Sequence, residues 1–199
     1  MPEEVFLKIL DDLEDMEYKG AIHPYLMAEP LTDSDIFNKI LAIRRRFPYN
    51  TIFISTNGDH LSSDTMDCLI GAGITWIGVS QYDFSNKEIP ELDKKYKELV
   101  VTPLGKLRSS FYNRGGNINV ASINKNSSCG WVFEKAYINW KGDVILCCSD
   151  YKFEVVFGNV MKDTFENIYN SSKYNKYRVE HTNLKGKELP LCESCNRLS

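Results

Sequence analysis

The residues best suited to chemistry are cysteines: Cys129, then Cys147 with Cys148 beside it, then the pair Cys192 and Cys195 near the C-terminus. Thiolates are soft donors, and sets of four hold zinc or iron-sulfur clusters. Between the first two runs Gly-Trp-Val-Phe-Glu-Lys-Ala-Tyr-Ile-Asn-Trp-Lys-Gly-Asp-Val-Ile-Leu, residues 130–146, which reads as two short strands joined at Lys141-Gly142-Asp143. Such a hairpin carries Cys129 and Cys147 toward one end of a sheet, where the Cys192-Glu-Ser-Cys195 knuckle completes a four-sulfur site. If Val144 and Leu146 face inward, strand alternation turns Cys147 and Cys148 to opposite sides, so only one of them joins the site. On the terminal Cys-x-x-Cys alone, structural zinc is the leading reading. The long, irregular gaps between the ligands tilt toward a cluster.

The remaining composition limits the alternatives. A chain of 199 residues, 43% hydrophobic and 26% charged, buries a real core and forms one domain plus a smaller appendage. A net charge of -3 with no Lys/Arg block gives nucleic acid nothing to bind. No apolar run approaches the roughly 20 residues of a membrane helix, and the N-terminus is acidic where an export signal is basic and then apolar. The expected location is the cytoplasm. Six cysteines without an export signal point to reduced thiols or metal ligands rather than disulfides. Cys68 falls in a helical pattern and reads as packing.

The elements that must position these thiols begin with a regular rhythm. Val5, Phe6, Ile9, Leu10 and Leu13 form one stripe of a helix over 2–16. Ala-Ile-His-Pro-Tyr-Leu-Met, 21–27, is a short strand candidate despite Pro24. Asp33 or Ser34 caps a second helix reaching Phe47, with Ile36, Phe37, Ile40, Leu41 and Ile43 at helical spacing. Strands follow at 51–55, 74–79 and 99–102, separated by helices from Ser62 or Ser63 to about Ile70 and over 88–97. Alternating helices and strands with short connections predict a parallel sheet with helices outside it.

In such sheets ligands bind at the carboxyl ends of the strands, so the strand exits are where chemistry is sought. Here they read Met27-Ala28-Glu29-Pro30-Leu31, Ser55-Thr56-Asn57-Gly58 and Ser80-Gln81-Tyr82-Asp83. Each offers polar groups or a glycine at one edge, which suits a polar, zwitterionic ligand. Taken singly, Asn57-Gly58 is equally a turn that uses positive φ, and Glu29 a solvated loop acid.

Taken together, these residues resemble the radical S-adenosylmethionine (radical SAM) superfamily, in the branch whose C-terminal extension is a SPASM or shorter twitch domain. Glu29-Pro30-Leu31 resembles the tail of the family's Gly-Gly-Glu-Pro motif, with Met27-Ala28 in place of the two glycines. Ser55-Thr56-Asn57-Gly58 resembles its Thr-Asn-Gly strand exit, Ser80 to Asp83 the next turn, and Asn113-Arg114-Gly115-Gly116 a segment just before the extension. The resemblance implies a partial (β/α) TIM-type radical SAM barrel over 1–116, followed by a small α+β SPASM/twitch domain over 117–199. It implies that Glu29, Thr56, Asn57, Ser80 and Arg114 lie at the S-adenosylmethionine site. It further implies one auxiliary 4Fe-4S cluster on Cys129, Cys147, Cys192 and Cys195. The family spacing from Gly142 to its cysteine favours Cys147 over Cys148, and Asp150, Gly158-Asn159 and a helix over 164–169 also fit the extension.

The family's radical chemistry also needs a Cys-x3-Cys-x2-Cys loop, which holds the cluster that reduces S-adenosylmethionine. No such run occurs in these 199 residues. The expectation is therefore an N-terminally truncated chain, unable alone to cleave S-adenosylmethionine, with a raw sheet edge at 21–27 open to a partner chain that supplies the missing barrel part. The resemblance implies that the full-length form makes a 5'-deoxyadenosyl radical and takes hydrogen from a peptide or a small alcohol or sugar. Two other classes stand beside this one: a structural zinc-binding module, and a non-catalytic accessory scaffold.

Other candidates read as ordinary structure. His23, His60 and His181 share no spacing with one another or with a cysteine partner. Tyr112, Trp131 and Tyr137 are core or a substrate wall. Lys185-Gly186-Lys187 is a solvated basic loop, and Asp11, Asp12, Glu14 and Asp15 form an acidic run on the outer side of the first helix.

Overall fold

The computed structural model describes residues 1–80, 86–98, 100–101, 113–116, 118, 129–185 and 188–195. Gln81-Tyr82-Asp83, Tyr112, the ends of the expected 99–102 strand and Gly186-Lys187 lie outside these. The chain divides into two compact units, Tyr18–Ser109 and a second made of Met1–Glu17 with Ser110–Ser199.

The Tyr18–Ser109 unit is built on three parallel strands, β1 (Phe53–Thr56), β2 (Trp76–Val79) and β3 (Val100–Val101), paired in that order. Parallel neighbours need a crossover. It is supplied by α3 (Ser63–Ala72) between β1 and β2, and by α4 (Ile89–Lys95) between β2 and β3. Ser62 caps α3 by accepting the Thr65 N–H at 3.2 Å, a contact worth about 1 kcal/mol. Before β1 runs α2 (Ile36–Arg46), whose Ile36, Ile40 and Ile43 join Ile54, Met66, Leu69 and Ile77 as buried side chains.

Residues in β1 and β2 alternate between buried and half-buried. Ile54, Thr56, Ile77 and Val79 take the buried face. The other face carries Phe53 and Trp76, with ring centroids 3.7 Å apart, and His23 meets Phe53 edge-on at 4.8 Å. The sheet thus buries aliphatic side chains on one face and carries half-buried aromatic rings on the other.

The expected strand at 21–27 reduces to one parallel bridge, Ile22 to Ile52. Ile22 donates to Thr51 O and its carbonyl accepts from Phe53, but two residues on Pro24 has no amide with which to extend the ladder. The segment instead enters a 3-10 turn at Pro30–Thr32. Cys68 also departs from expectation. It is exposed on α3 rather than packed.

The second unit begins with α1 (Glu3–Asp15) and holds an antiparallel sheet of β4 (Tyr137–Ile138), β5 (Asp143–Ile145) and β6 (Val156–Asn159). Three helices accompany it: α5 (Trp131–Glu134), α6 (Phe165–Tyr169) and α7 (Ser172–Thr182). The hairpin expected over 130–146 is half present. Residues 131–134 wind into a helical turn, so only Tyr137 and Ile138 are left to pair with β5.

Asp12 also departs from expectation. It does not belong to an outer acidic run, since it is 3% exposed and its Oδ2 accepts the Phe165 N–H at 2.9 Å. That amide is one of the orphan donors at the start of α6. Lys8, one helical turn back, pairs with the same carboxylate.

Among the described residues no helix is long and apolar enough to cross a membrane.

Candidate cluster site and strand-exit site

The four thiols of Cys129, Cys147, Cys192 and Cys195 line one cavity, together with Trp131, Val132, Leu146, Leu191 and His181. They arrive on three local devices. Cys129 precedes the α5 turn and donates its backbone N–H to Nδ1 of His181 at 3.2 Å. Cys147 leaves the end of β5 into a turn closed by the Asp150 N–H on the Cys147 carbonyl at 3.0 Å. Cys192 and Cys195 stand on a tight knuckle in which the Cys195 N–H reaches the Cys192 carbonyl at 3.2 Å.

Two further contacts hold these devices in place. The Asp150 carboxylate, 1% exposed, accepts from the amides of Glu154 at 2.8 Å and Val155 at 2.9 Å, which fixes the loop after Cys147. The knuckle is braced by residues 113–116. Asn113 donates its side-chain amide to the Ser194 carbonyl, and the Ser194 hydroxyl donates to Gly115 O at 2.8 Å.

Burial pushes the Cys147 thiol up to about 12, while the neighbouring backbone amides of Ser149 and Asp150 act in the opposite sense. A buried thiolate is costly without a compensating cation, and backbone amides close to the sulfur favour its charged, ligating form. Donor set and surroundings therefore fit a thiolate-bound metal group. Burial likewise raises the Tyr177 hydroxyl to about 12, with the Cys192 sulfur and the Asp150 carboxylate adding to it.

Cys148 is not among the side chains that line the cavity. The alternation expected to separate it from Cys147 does not apply, because β5 ends at Ile145 and Val144, Ile145 and Leu146 are all buried. A register irregularity between Val144 and Ile145 breaks the period. The turn after the strand is what distinguishes the two cysteines. Among the described residues, no three His, Cys, Asp or Glu side chains draw into a ready-made single-ion group. The thiols meet instead as the lining of a shared cavity.

His181 is the site residue that sequence reasoning left as ordinary structure. It sits on α7, 1% exposed, and that helix also lay outside the expectation. The available signal was Tyr174, Tyr177 and His181 at helical spacing, all three buried. Their polar tips hid an inward face. Arg178 ties the same helix down, stacking on Tyr169 at 3.9 Å and Tyr174 at 4.1 Å and donating to Tyr169 O at 2.8 Å.

Of the other expected residues, Glu29, Thr56, Asn57 and Ser80 gather at the exits of β1 and β2, within the Tyr18–Ser109 unit. Glu29 Oε1 accepts from the Thr56 hydroxyl at 2.6 Å and the Leu31 N–H at 3.2 Å, and Oε2 accepts from the Asn57 N–H at 2.8 Å. Glu29 is thus a fixed hub rather than a solvated loop acid. Ser80 extends the strand pairing through its N–H to Thr56 O at 2.8 Å. Gly58 takes φ 86°, the positive value expected of the Asn-Gly turn, and Asn86 secures that turn with bonds to Gly58 O at 2.6 Å and Leu61 O at 2.8 Å. Arg114 belongs to the other unit, exposed at φ 50° beside the residues that brace the cysteine knuckle.

Residues 129–196 match the SPASM family model, described as an iron-sulfur cluster-binding domain. The chain is 25% identical over 205 residues to the S-adenosyl-L-methionine-dependent 2-deoxy-scyllo-inosamine dehydrogenase of Niallia circulans, covering 100% of this chain and 82% of the relative. Its fold is similar to a crystal structure of BtrN in complex with AdoMet and 2-DOIA, with a TM-score of 0.88 at 24% identity, covering 100% of this chain and 81% of that one. A structure of hexahistidine-tagged anSMEcpe with bound AdoMet is similar at TM-score 0.60 and 14% identity, covering 89% of this chain and 74% of that one.

Proposed function

We propose that this chain, which carries a SPASM iron-sulfur cluster-binding domain and is related along its length to a radical SAM enzyme, is the cluster-bearing part of a SAM-dependent alcohol dehydrogenase. The observation that carries this reading is the meeting of Cys129, Cys147, Cys192 and Cys195 in one largely apolar cavity. These four residues hold one auxiliary 4Fe-4S cluster. When bound, that cluster supplies a one-electron redox centre.

The Tyr18–Ser109 unit is, in this reading, part of a (β/α) barrel. The Glu29, Thr56 and Asn57 node fixes the strand-exit edge, and Ser80 continues it, so that backbone and side-chain polar groups meet the methionine end of S-adenosylmethionine. The half-buried face with Phe53 and Trp76 provides aromatic wall for the substrate.

The substrate class follows the relative. The protein it resembles is a dehydrogenase of a hydroxylated, amino-substituted carbocycle, so a small polyhydroxylated ring alcohol is favoured over a peptide. Oxidation to the ketone removes one hydrogen atom from carbon, one proton from oxygen and one further electron. The iron-sulfur centre that reduces S-adenosylmethionine needs a Cys-x3-Cys-x2-Cys set that these 199 residues do not contain. It comes from further sequence or from a second chain.

The test is anaerobic reconstitution followed by electron paramagnetic resonance and product analysis. The 199-residue chain should carry a reducible cluster yet release no 5'-deoxyadenosine from S-adenosylmethionine and a strong reductant. Absence of any cluster signal contradicts the reading.

A further inference from the structure

His181 is buried at 1% exposure in the last turn of α7, and its ring helps to line the cavity shared by the four thiols. Its Nδ1 accepts the backbone N–H of Cys129 at 3.2 Å. A nitrogen that accepts a hydrogen bond carries no proton, so in the neutral ring the proton resides on Nε2. The ring therefore brings to the cavity both an anchor for a ligand's backbone and an N–H donor. The side chains around it, Trp131, Val132, Leu146 and Leu191, are largely apolar, and in such surroundings a single hydrogen bond carries more electrostatic weight than in water.

We propose that His181 is a positioning residue for the auxiliary cluster, holding Cys129 through Nδ1 and donating Nε2–H to a sulfur of the cluster. This rests on the cluster reading above and adds a residue to it. A hydrogen bond to sulfur withdraws electron density from the iron-sulfur core and stabilises the reduced, more negative state, so its removal lowers the reduction potential. His181→Phe fills a similar volume with neither donor nor acceptor. His181→Gln keeps one of each.

The experiment counts irons in the reconstituted wild-type chain and both variants, then measures each cluster's midpoint potential. The expected result is about four irons in the wild type, a more negative potential in His181→Phe, and a potential near wild type in His181→Gln. Equal potentials in all three fully loaded proteins overturn the proposal and leave the cluster reading standing. A wild-type chain without iron overturns both.

A second readout needs no variant to fold. Pulsed electron paramagnetic resonance of the reduced wild-type cluster, prepared with isotope-labelled histidine, should show coupling to a histidine nitrogen. Absence of that coupling also overturns the proposal.

Discussion

The carboxylate of Asp12, in the first helix, accepts the backbone N–H of Phe165 at 2.9 Å and so caps a helix 153 positions along the chain. Both residues belong to the unit that contains the thiol cavity. Asp12→Ala leaves that buried amide without its acceptor, an expected loss of about 1–3 kcal/mol. Asp12→Asn, which keeps an oxygen, should lose less, and Asp11→Ala on the exposed side should be near neutral. Urea unfolding of the three variants checks the order, and an equal effect of Asp11→Ala contradicts it.

Glu29 makes a different kind of connection. Its two oxygens gather Leu31, Thr56 and Asn57, so Glu29→Ala should destabilise the Tyr18–Ser109 unit by about 2–3 kcal/mol. In a double-mutant cycle with Thr56→Val, the two substitutions should couple by about 1 kcal/mol. Strict additivity would show that the 2.6 Å contact contributes nothing.

Gly142 turns the hairpin at φ 85°, where a Cβ would lie 3.1 Å from Val160 Cγ2 and 3.3 Å from Val5 Cγ1. Backbone strain and crowding act together there. Gly142→Ala should cost about 1–3 kcal/mol, read as a lower denaturation midpoint with an unchanged slope. Retention of the wild-type midpoint would contradict the turn as described.

Much of this was legible in the chain, and the departures have physical causes. The parallel strands with their crossover helices were readable because β-branched runs alternate with helical apolar stripes, and Ser62 announces its own cap. The helical turn at 131–134 was not readable. Trp131, Val132 and Phe133 favour strands intrinsically, and only packing in the second unit holds them helical. Asp12 misled for a related reason, since acids beside it are exposed and a capping partner far along the chain leaves no local trace. The cysteines could be named as a set, and the spacing from Gly142 already favoured Cys147 over Cys148; the structure adds that Cys147 lines the cavity and Cys148 does not. His181 required α7, whose inward face is made of side chains with polar tips.

The two adjacent cysteines yield a sharp contrast. Cys147→Ser should reduce iron binding severely and loosen the second unit, because ligand-to-metal bonding there is folding free energy. Cys148→Ser should retain the full complement. Iron and sulfide assays after anaerobic reconstitution read both, and a reversed pattern would move the ligand to Cys148.

The central claim is that four thiols in one cavity hold an iron-sulfur cluster rather than a single zinc ion. The most direct test is the iron, sulfide and zinc content of the chain purified and reconstituted without oxygen. The account predicts about four irons with matching sulfide per chain. One zinc and no iron would contradict it and make the unit a structural zinc module.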